Sequence, residues 1–287
     1  MSNGADRRRP VAFWPTPTQE RVLRVIYGPE GEARRAWTTL RPRLDLDDLE
    51  PGTFALMPLL YRRLESWRTS DRLLDRLKGL YRHTWSHNQL LLASIRLLAT
   101  TLEERSVDFL VAGGPLLLRF YGDPGLRPTD RVDLIVRAEN MPRAADVLQR
   151  AEWRATDPVA LGELEQRGSV WFTDAKRSFV VLHRSGNREW DDHAVLTLDG
   201  LECPALSASG QLMRTCSGDG RHYRWGRVQW VPDVHALARS GEIEWAKIAG
   251  SRLALGYARE VTSAPIPANA TSRGFPARAW RLALRGR

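Results

Sequence analysis

The chain has 287 residues, of which 43% are hydrophobic and 27% charged. This is the composition of a folded globular protein, and it excludes wholesale disorder. The 43 Lys and Arg outnumber the 34 Asp and Glu and give a net charge of +9, which favours an anionic partner such as nucleic acid or a nucleotide phosphate.

Apolar runs and cysteines indicate the compartment. No apolar run reaches the roughly 20 residues that a membrane span needs, and no signal-peptide pattern opens the chain. The two cysteines, Cys203 and Cys216, are too few for a disulfide framework. We therefore expect a cytoplasmic protein with no membrane partner. Because most basic residues are arginines spread along the chain, compositional bias is the alternative to a binding surface.

The first third of the chain is predicted to be helical. Residues 1–18 show no periodic pattern and contain several prolines, which predicts a flexible tail. Residues 19–105 predict an N-terminal helical region, because apolar residues recur there at spacings of three and four. The clearest such series is Leu91, Ile95, Leu98 and Leu102.

A different pattern covers residues 106–203. Short apolar runs bounded by Gly and Pro predict strands at 107–112, 132–136, 169–173 and 178–183, the last two being antiparallel neighbours, and a hairpin edge at 195–201. Helices are predicted at 116–121 and 142–151. The sequence therefore predicts an α+β protein in which a small mixed sheet is flanked by helical regions.

Helical patterns return near the end of the chain. Residues 204–262 predict a C-terminal helical region in which Ser207 caps the first helix. Residues 263–287 predict a basic, disordered tail. The alternative for this tail is contact with nucleic acid or with an anionic membrane surface.

The most informative segment is 111–136, with the sequence VAGGPLLLRFYGDPGLRPTDRVDLIV. A strand, a glycine pair opening a helix, an arginine-bearing loop and a strand with acidic residues resemble the DNA polymerase β superfamily. In more detail, Tyr121-Gly122-Asp123-Pro124, Arg127-Pro128 and Asp133-Leu134-Ile135-Val136 are similar to a family of uncharacterised bacterial nucleotidyltransferases. Val181-Leu182-His183, Trp230-Val231-Pro232-Asp233 and Glu244-Trp245 extend the resemblance over roughly residues 20–257.

This resemblance implies a nucleotidyltransferase sheet and a function. The family role would be transfer of a nucleoside monophosphate from an NTP to an unidentified acceptor, with Mg²⁺ as cofactor. Gly113 and Gly114 would let backbone N–H groups cradle the phosphates. Asp133 would hold the metal and His183 would line the catalytic pocket.

The chain also departs from the family pattern. Arg131 stands where the family has the first aspartate of Asp-x-Asp, Val181 where it has the aspartate before Leu-His, and Gly113 where it has a lysine. Only Asp133 of three metal-binding carboxylates is kept, and one carboxylate is a poor anchor for a cation that prefers several oxygens. Catalysis is therefore predicted to be degraded.

Four residues near this site have two interpretations each. Asp130 would point to the opposite face of a regular strand, unless a β-bulge re-aims it toward the metal. Arg131 would bind phosphate in place of a metal, or pair with Asp133. Arg127 would contact phosphate or tie its loop to the sheet, and His183 would be a pocket or a structural residue. Asp174, Asp191 and Asp192 are weaker candidates for the third carboxylate.

Three functions follow from these patterns. The first is an active nucleotidyltransferase that uses Mg²⁺ and an NTP. The second is a pseudoenzyme of the same fold that binds a nucleotide or a protein partner without chemistry. The third is a basic, toxin-like protein that binds RNA.

Overall fold

In the computed structural model of the chain, the described residues are 14–157, 163–164, 168–175, 178–185, 188–198, 200–217 and 227–271. The tails expected at 1–18 and 263–287 therefore lie partly outside the described residues. The helices of the described residues are α1 (Pro17–Tyr27), α2 (Glu30–Leu40), α3 (Pro51–Phe54), α4 (Met57–Ser66), α5 (Leu73–Glu104), α6 (Gly113–Tyr121), α7 (Met141–Arg150), α8 (Arg188–Asp191), α9 (Ala208–Cys216), α10 (Trp230–Arg239) and α11 (Arg252–Thr262). None of these helices combines the length and the apolar character of a membrane span.

One mixed sheet forms the centre of the described chain. Its strands are β1 (Leu110–Ala112), β2 (Arg131–Arg137), β3 (Arg154–Ala155), β4 (Ser169–Thr173), β5 (Phe179–Ser185), β6 (His193–Leu198) and β7 (Leu201–Leu206). The spatial order is β3-β4-β5-β2-β1-β7-β6. The central strand β2 runs antiparallel to β1 and parallel to β5. The predicted α+β fold, a mixed sheet flanked by N-terminal and C-terminal helical regions, is confirmed.

Local predictions hold at several positions. Strands β4 and β5 are antiparallel neighbours, and β6 and β7 form the predicted hairpin at one edge. The Ser207 side chain accepts a hydrogen bond from the Gly210 N–H and caps α9, as predicted. The boundaries in the domain organisation predicted above stay a prediction.

The strand predicted at 107–112 is shorter than expected. The Val107 N–H donates to the Leu102 carbonyl at 3.0 Å, so the chain still closes the end of α5 there. Ser106 has φ +52°, which turns the chain toward the sheet. The helix predicted at 116–121 begins three residues earlier, so that Gly113 and Gly114 are the first residues of α6.

The N-terminal and C-terminal helices share one hydrophobic core. Helices α1, α2, α4 and the first turns of α5 pack against α9, α10 and α11, burying Leu23, Leu60, Leu77, Val231 and Leu255. Helix α1 starts at a capping box, in which the Thr16 side chain accepts from the Gln19 N–H and the Gln19 side chain accepts from the Thr16 N–H. These helices, called here the helical lobe, flank the sheet as one body.

A second core lies under one face of the sheet. The last turns of α5 contribute Leu91, Ile95, Leu98 and Leu102, and α7 contributes a further apolar stripe. Alternate residues of β2, Val132, Leu134 and Val136, point into this core. The other residues of β2 therefore face the opposite side, where the candidate site lies.

The helical lobe contains a titratable group, His235 of α10, whose ring lies 4.4 Å from that of Tyr27. Burial, followed by the charge of Arg239, lowers the pKa of His235 from 6.5 to about 4. Because the folded-state pKa is depressed, the stability from this group is present above pH 6.5 and is lost as the pH falls toward 4. Between pH 6.5 and pH 4, we expect the free energy of unfolding of the wild type to fall by about 2 kcal/mol more than that of His235→Phe.

Urea unfolding between pH 7 and pH 4 measures this difference. Phenylalanine keeps an aromatic ring against Tyr27, so the comparison isolates the titration. Replacing the solvent-exposed His87 of α5 by Gln is the matched control, and its pH profile should run parallel to that of the wild type. If the free energy of unfolding depends on pH equally in the wild type and in His235→Phe, the lowered pKa of His235 is wrong.

Candidate functional site

The candidate site lies on the face of the sheet away from the second core. Arg131, Asp133 and Ile135 alternate on β2 and so share this face. On the neighbouring strand β5, Val181 lies opposite Asp133 and His183 opposite Ile135. The sheet thus brings together Asp133, Arg131 and His183, three of the residues that the sequence singled out.

Asp133 is the centre of this group and is 2% exposed. Its Oδ1 accepts a hydrogen bond from Arg131 Nε at 3.0 Å, in an ion pair, and lies 2.7 Å from His183 Nε2. Burial alone would raise the pKa of Asp133, but the charge of Arg131, the bond to His183 and the charge of Arg214 together hold the pKa well below its usual range. The carboxylate is therefore ionised and its charge is compensated by the protein.

The surroundings of His183 fix its protonation state, and a contact with an aromatic ring holds Arg131 in place. Burial lowers the pKa of His183, although the bond to Asp133 opposes this shift. The ring is therefore neutral at pH 7, and its Nε2–H donates to the ionised carboxylate. The Arg131 guanidinium lies over the Trp171 ring at 5.1 Å, a cation–π contact, and the residue is only 5% exposed.

The glycine pair packs tightly against the same carboxylate. Gly113 has φ +64°, a conformation that favours glycine, and a side-chain Cβ at this position would collide with Asp133 Oδ2. The Gly113 N–H donates to Gln211 Oε1 at 2.8 Å, within the buried part of the site. A Cβ at Gly114 would collide with Thr129. Close packing of α6 on β2 and on the loop before it is thus one reason for glycine at both positions.

Arg127 lies behind the glycines and is 2% exposed. Its Nε and Nη2 donate to the two oxygens of Asp233 at 2.7 and 3.0 Å, and its Nη1 donates to Thr129 Oγ1 at 3.0 Å. Tyr121 also donates its hydroxyl to Asp233, at 2.7 Å. This bidentate pair joins the loop before β2 to α10 of the helical lobe. Binding of a nucleotide phosphate by Arg127, as by Arg131, stays a prediction.

Asp130 precedes the first residue of β2 and is half-buried. The pairing of β2 with β5 is continuous from Arg131 to Arg137, without a bulge in this register. Burial raises the pKa of Asp130, with Asp133 adding to the effect and Arg131 opposing it. Its role as a metal ligand stays a prediction.

The residues around Asp133 offer few oxygen ligands to a magnesium ion. Mg²⁺ takes oxygen ligands in near-octahedral geometry, whereas Val181 offers none and is fully buried. The Asp133 Oδ1 is already bonded to Arg131 and His183. Within the described ranges, no group of three or more His, Cys, Asp and Glu side chains is placed to hold a metal ion. The residues present do not fit the Mg²⁺ that the family implies.

Two of the weaker acidic candidates, Asp174 and Asp192, bind other partners. Asp174 accepts from the Ser178 N–H in the connection between β4 and β5. Asp192 is bonded to Ser207 and Lys247 near the start of α9. Gln211 and Arg214 of α9 and Trp171 of β4 also reach the site, although no local motif in the sequence marks them.

Three solved structures are weakly similar to the chain. An antigenic nucleotidyltransferase-like protein from Paracoccidioides brasiliensis is 16% identical, with 64% of this chain and 97% of that chain covered and a TM-score of 0.43. The antibiotic-resistance factor ANT(2'')-Ia is 10% identical, with 69% and 96% covered and a TM-score of 0.43. The lincosamide antibiotic adenylyltransferase LnuA is 11% identical, with 50% and 93% covered and a TM-score of 0.39.

The assignment to a family comes from a family model. The model described as "Uncharacterised nucleotidyltransferase" matches residues 54–264, which is well over half of the chain and includes β1, β2 and β5 of the candidate site. The chain belongs to this nucleotidyltransferase family. No curated protein matches it.

Proposed function

We propose that this chain is a non-catalytic member of its family, which binds a ligand or partner without transferring a nucleotide. The observation that carries the proposal is the state of Asp133, whose Oδ1 accepts bonds from Arg131 and His183. A guanidinium at this distance supplies the positive charge that a metal ion would otherwise bring. Its charge also repels a dication from the same carboxylate.

Other contacts support this proposal. The Gly113 N–H, a candidate phosphate ligand, is bonded to Gln211, and the Arg127 guanidinium to Asp233. Both arginines of the predicted nucleotide site are almost fully buried. A triphosphate at this position would have to displace partners from buried groups, which costs about 1–3 kcal/mol for each polar group left unpaired.

Calorimetric titration of ATP and GTP, with and without Mg²⁺, tests the proposal. We expect no Mg²⁺-dependent binding and no NTP turnover by the wild-type chain. The double substitution Arg131→Asp/Val181→Asp restores the two family carboxylates and should create Mg²⁺-dependent binding. Arg131→Asn/Val181→Asn is the matched control, because it removes the same side chains without supplying charge.

The wild-type measurement decides the proposal even if the double variants do not fold. Mg²⁺-dependent turnover of an NTP by the wild type, abolished by Asp133→Asn, would overturn it. That result would mean that the chain is an active nucleotidyltransferase in which Asp133 is a metal ligand.

A further inference from the structure

A cavity of about 530 Å³ adjoins the candidate site on the same face of the sheet. Helix α9 forms one wall through Gly210, Met213, Arg214 and Ser217. These positions are spaced by three, four and seven residues, so they make one face of the helix. Ile135 of β2 and Leu206 of β7 add apolar surface. A volume of this size suits a small molecule.

Arg214 supplies a positive charge at one end of the cavity. It lies close enough to Asp133 and His183 to act electrostatically on both. Among the described residues, no side chain or carbonyl forms a hydrogen bond or ion pair with its guanidinium, although the residue is half-buried. Asp133 is already bonded to Arg131 and His183. Arg214 is therefore available to an anionic group entering the cavity.

Acidic side chains supply the opposite charge. Asp192 is held by Ser207 and by Lys247, and Lys247 also bonds Glu244, so one cation is shared by two carboxylates and the group keeps one negative charge. Glu189 and Asp191 also line the cavity. Neither carboxylate has a hydrogen bond or ion pair to any residue in the described part of the chain.

Helix α9 sets the separation of the two charged ends. At the start of the helix, the Ser207 hydroxyl donates to the Asp192 side chain, and the Ser207 N–H donates to the Asp192 carbonyl at 3.3 Å. Asp191 immediately precedes Asp192 in the chain. Arg214 lies seven positions after Ser207, which at 1.5 Å per residue is roughly 10 Å along the helix axis. The acidic and basic ends are thus separated by an apolar middle.

We propose that this cavity binds an elongated zwitterion. Its anionic group pairs with Arg214, its ammonium group with Glu189 and Asp191, and its aliphatic body lies along Met213, Ile135 and Leu206. A short zwitterion such as glycine cannot reach both ends. The proposal names a ligand class for the binding role proposed above. Its failure and that of the non-catalytic proposal are distinguishable, because the latter is tested by NTP turnover.

The test uses the full chain and a series of ω-amino carboxylates, from glycine through ε-aminohexanoate to the eight-carbon member. Isothermal titration calorimetry gives each dissociation constant. We expect affinity to peak among the longer members and to exceed that of hexanoate and of hexylamine by at least about tenfold, the loss expected for one charge-assisted bond. A series in which no member binds more tightly than its singly charged analogues would overturn the proposal.

Variants assign the two ends. Arg214→Gln should weaken the binding of ε-aminohexanoate and of hexanoate by about tenfold and leave the binding of hexylamine unchanged. Glu189→Gln/Asp191→Asn should weaken the binding of ε-aminohexanoate and of hexylamine. Arg96→Gln is the matched control, because Arg96 is an exposed arginine of α5 on the other side of the sheet. If Arg96→Gln and Arg214→Gln reduce binding equally, the chain attracts the ligand through its general charge, and the proposed site is wrong.

Discussion

Replacing Asp233 with asparagine is expected to lower the free energy of unfolding by about 3–5 kcal/mol, the usual cost of removing one partner from a buried ion pair. Asp233 is 1% exposed and Arg127 is 2% exposed. Asparagine keeps the shape of the side chain but leaves the guanidinium charge without an anion in a site that water does not reach. The Tyr121 hydroxyl would also lose its charged acceptor. Urea denaturation at pH 7 measures the effect.

The pair Arg119–Glu242 provides a matched control for this prediction. It is also bidentate, although it uses Nη1 and Nη2, which lie 2.9 and 3.0 Å from the two carboxylate oxygens. Its side chains are 42% and 41% exposed, so Glu242→Gln should cost less than about 1 kcal/mol. A similar small loss in Asp233→Asn would mean that the buried pair does not join the loop to the helical lobe.

The second large effect is expected for Gly113→Ala, which should lower the free energy of unfolding by about 2–5 kcal/mol. A residue with a side chain at φ +64° costs about 1–2 kcal/mol. Overpacking of a buried site adds about 1–3 kcal/mol, because the new methyl group collides with the Asp133 carboxylate. Displacing that carboxylate would also disturb its bonds to Arg131 and His183.

Gly122→Ala separates these two contributions. Gly122 has a nearly identical φ of +69°, but nothing lies within 4 Å of the position that its Cβ would occupy. Its replacement should therefore cost only the backbone strain, about 1–2 kcal/mol. Equal losses for the two variants, measured by urea unfolding, would show that Asp133 moves aside without cost and that the glycine is not required by the site.

Much of the sheet could be predicted from sequence because its strands are short apolar runs with clear breakers. The spacing of Arg131 and Asp133 placed both on one face of β2, so their ion pair was one of two interpretations. The structure contains that ion pair. In the structure, the same alternation along β5 puts His183 on the face that carries Val181.

The partners of the site could not be predicted in the same way. The bond from the Gly113 N–H to Gln211 spans 98 positions of sequence, and that from Arg127 to Asp233 spans 106. Such contacts depend on how the helical lobe docks on the sheet, which no local period encodes. Trp171 reaches Arg131 only because β4 pairs with β5 in one register. Tertiary packing thus determines what each polar group of the site binds.

Helix α5 restricts how this protein could be divided. Its first turns bury Leu73 and Leu77 in the core of the helical lobe, and its last turns bury Ile95 and Leu98 beneath the sheet. With 32 residues it extends for about 48 Å, so one continuous element completes both interiors. A gene fragment that encodes the sheet alone would lack the helix that covers it, and one ending before α5 would leave the lobe open. Recombination can therefore exchange this sheet between proteins only together with its long helix.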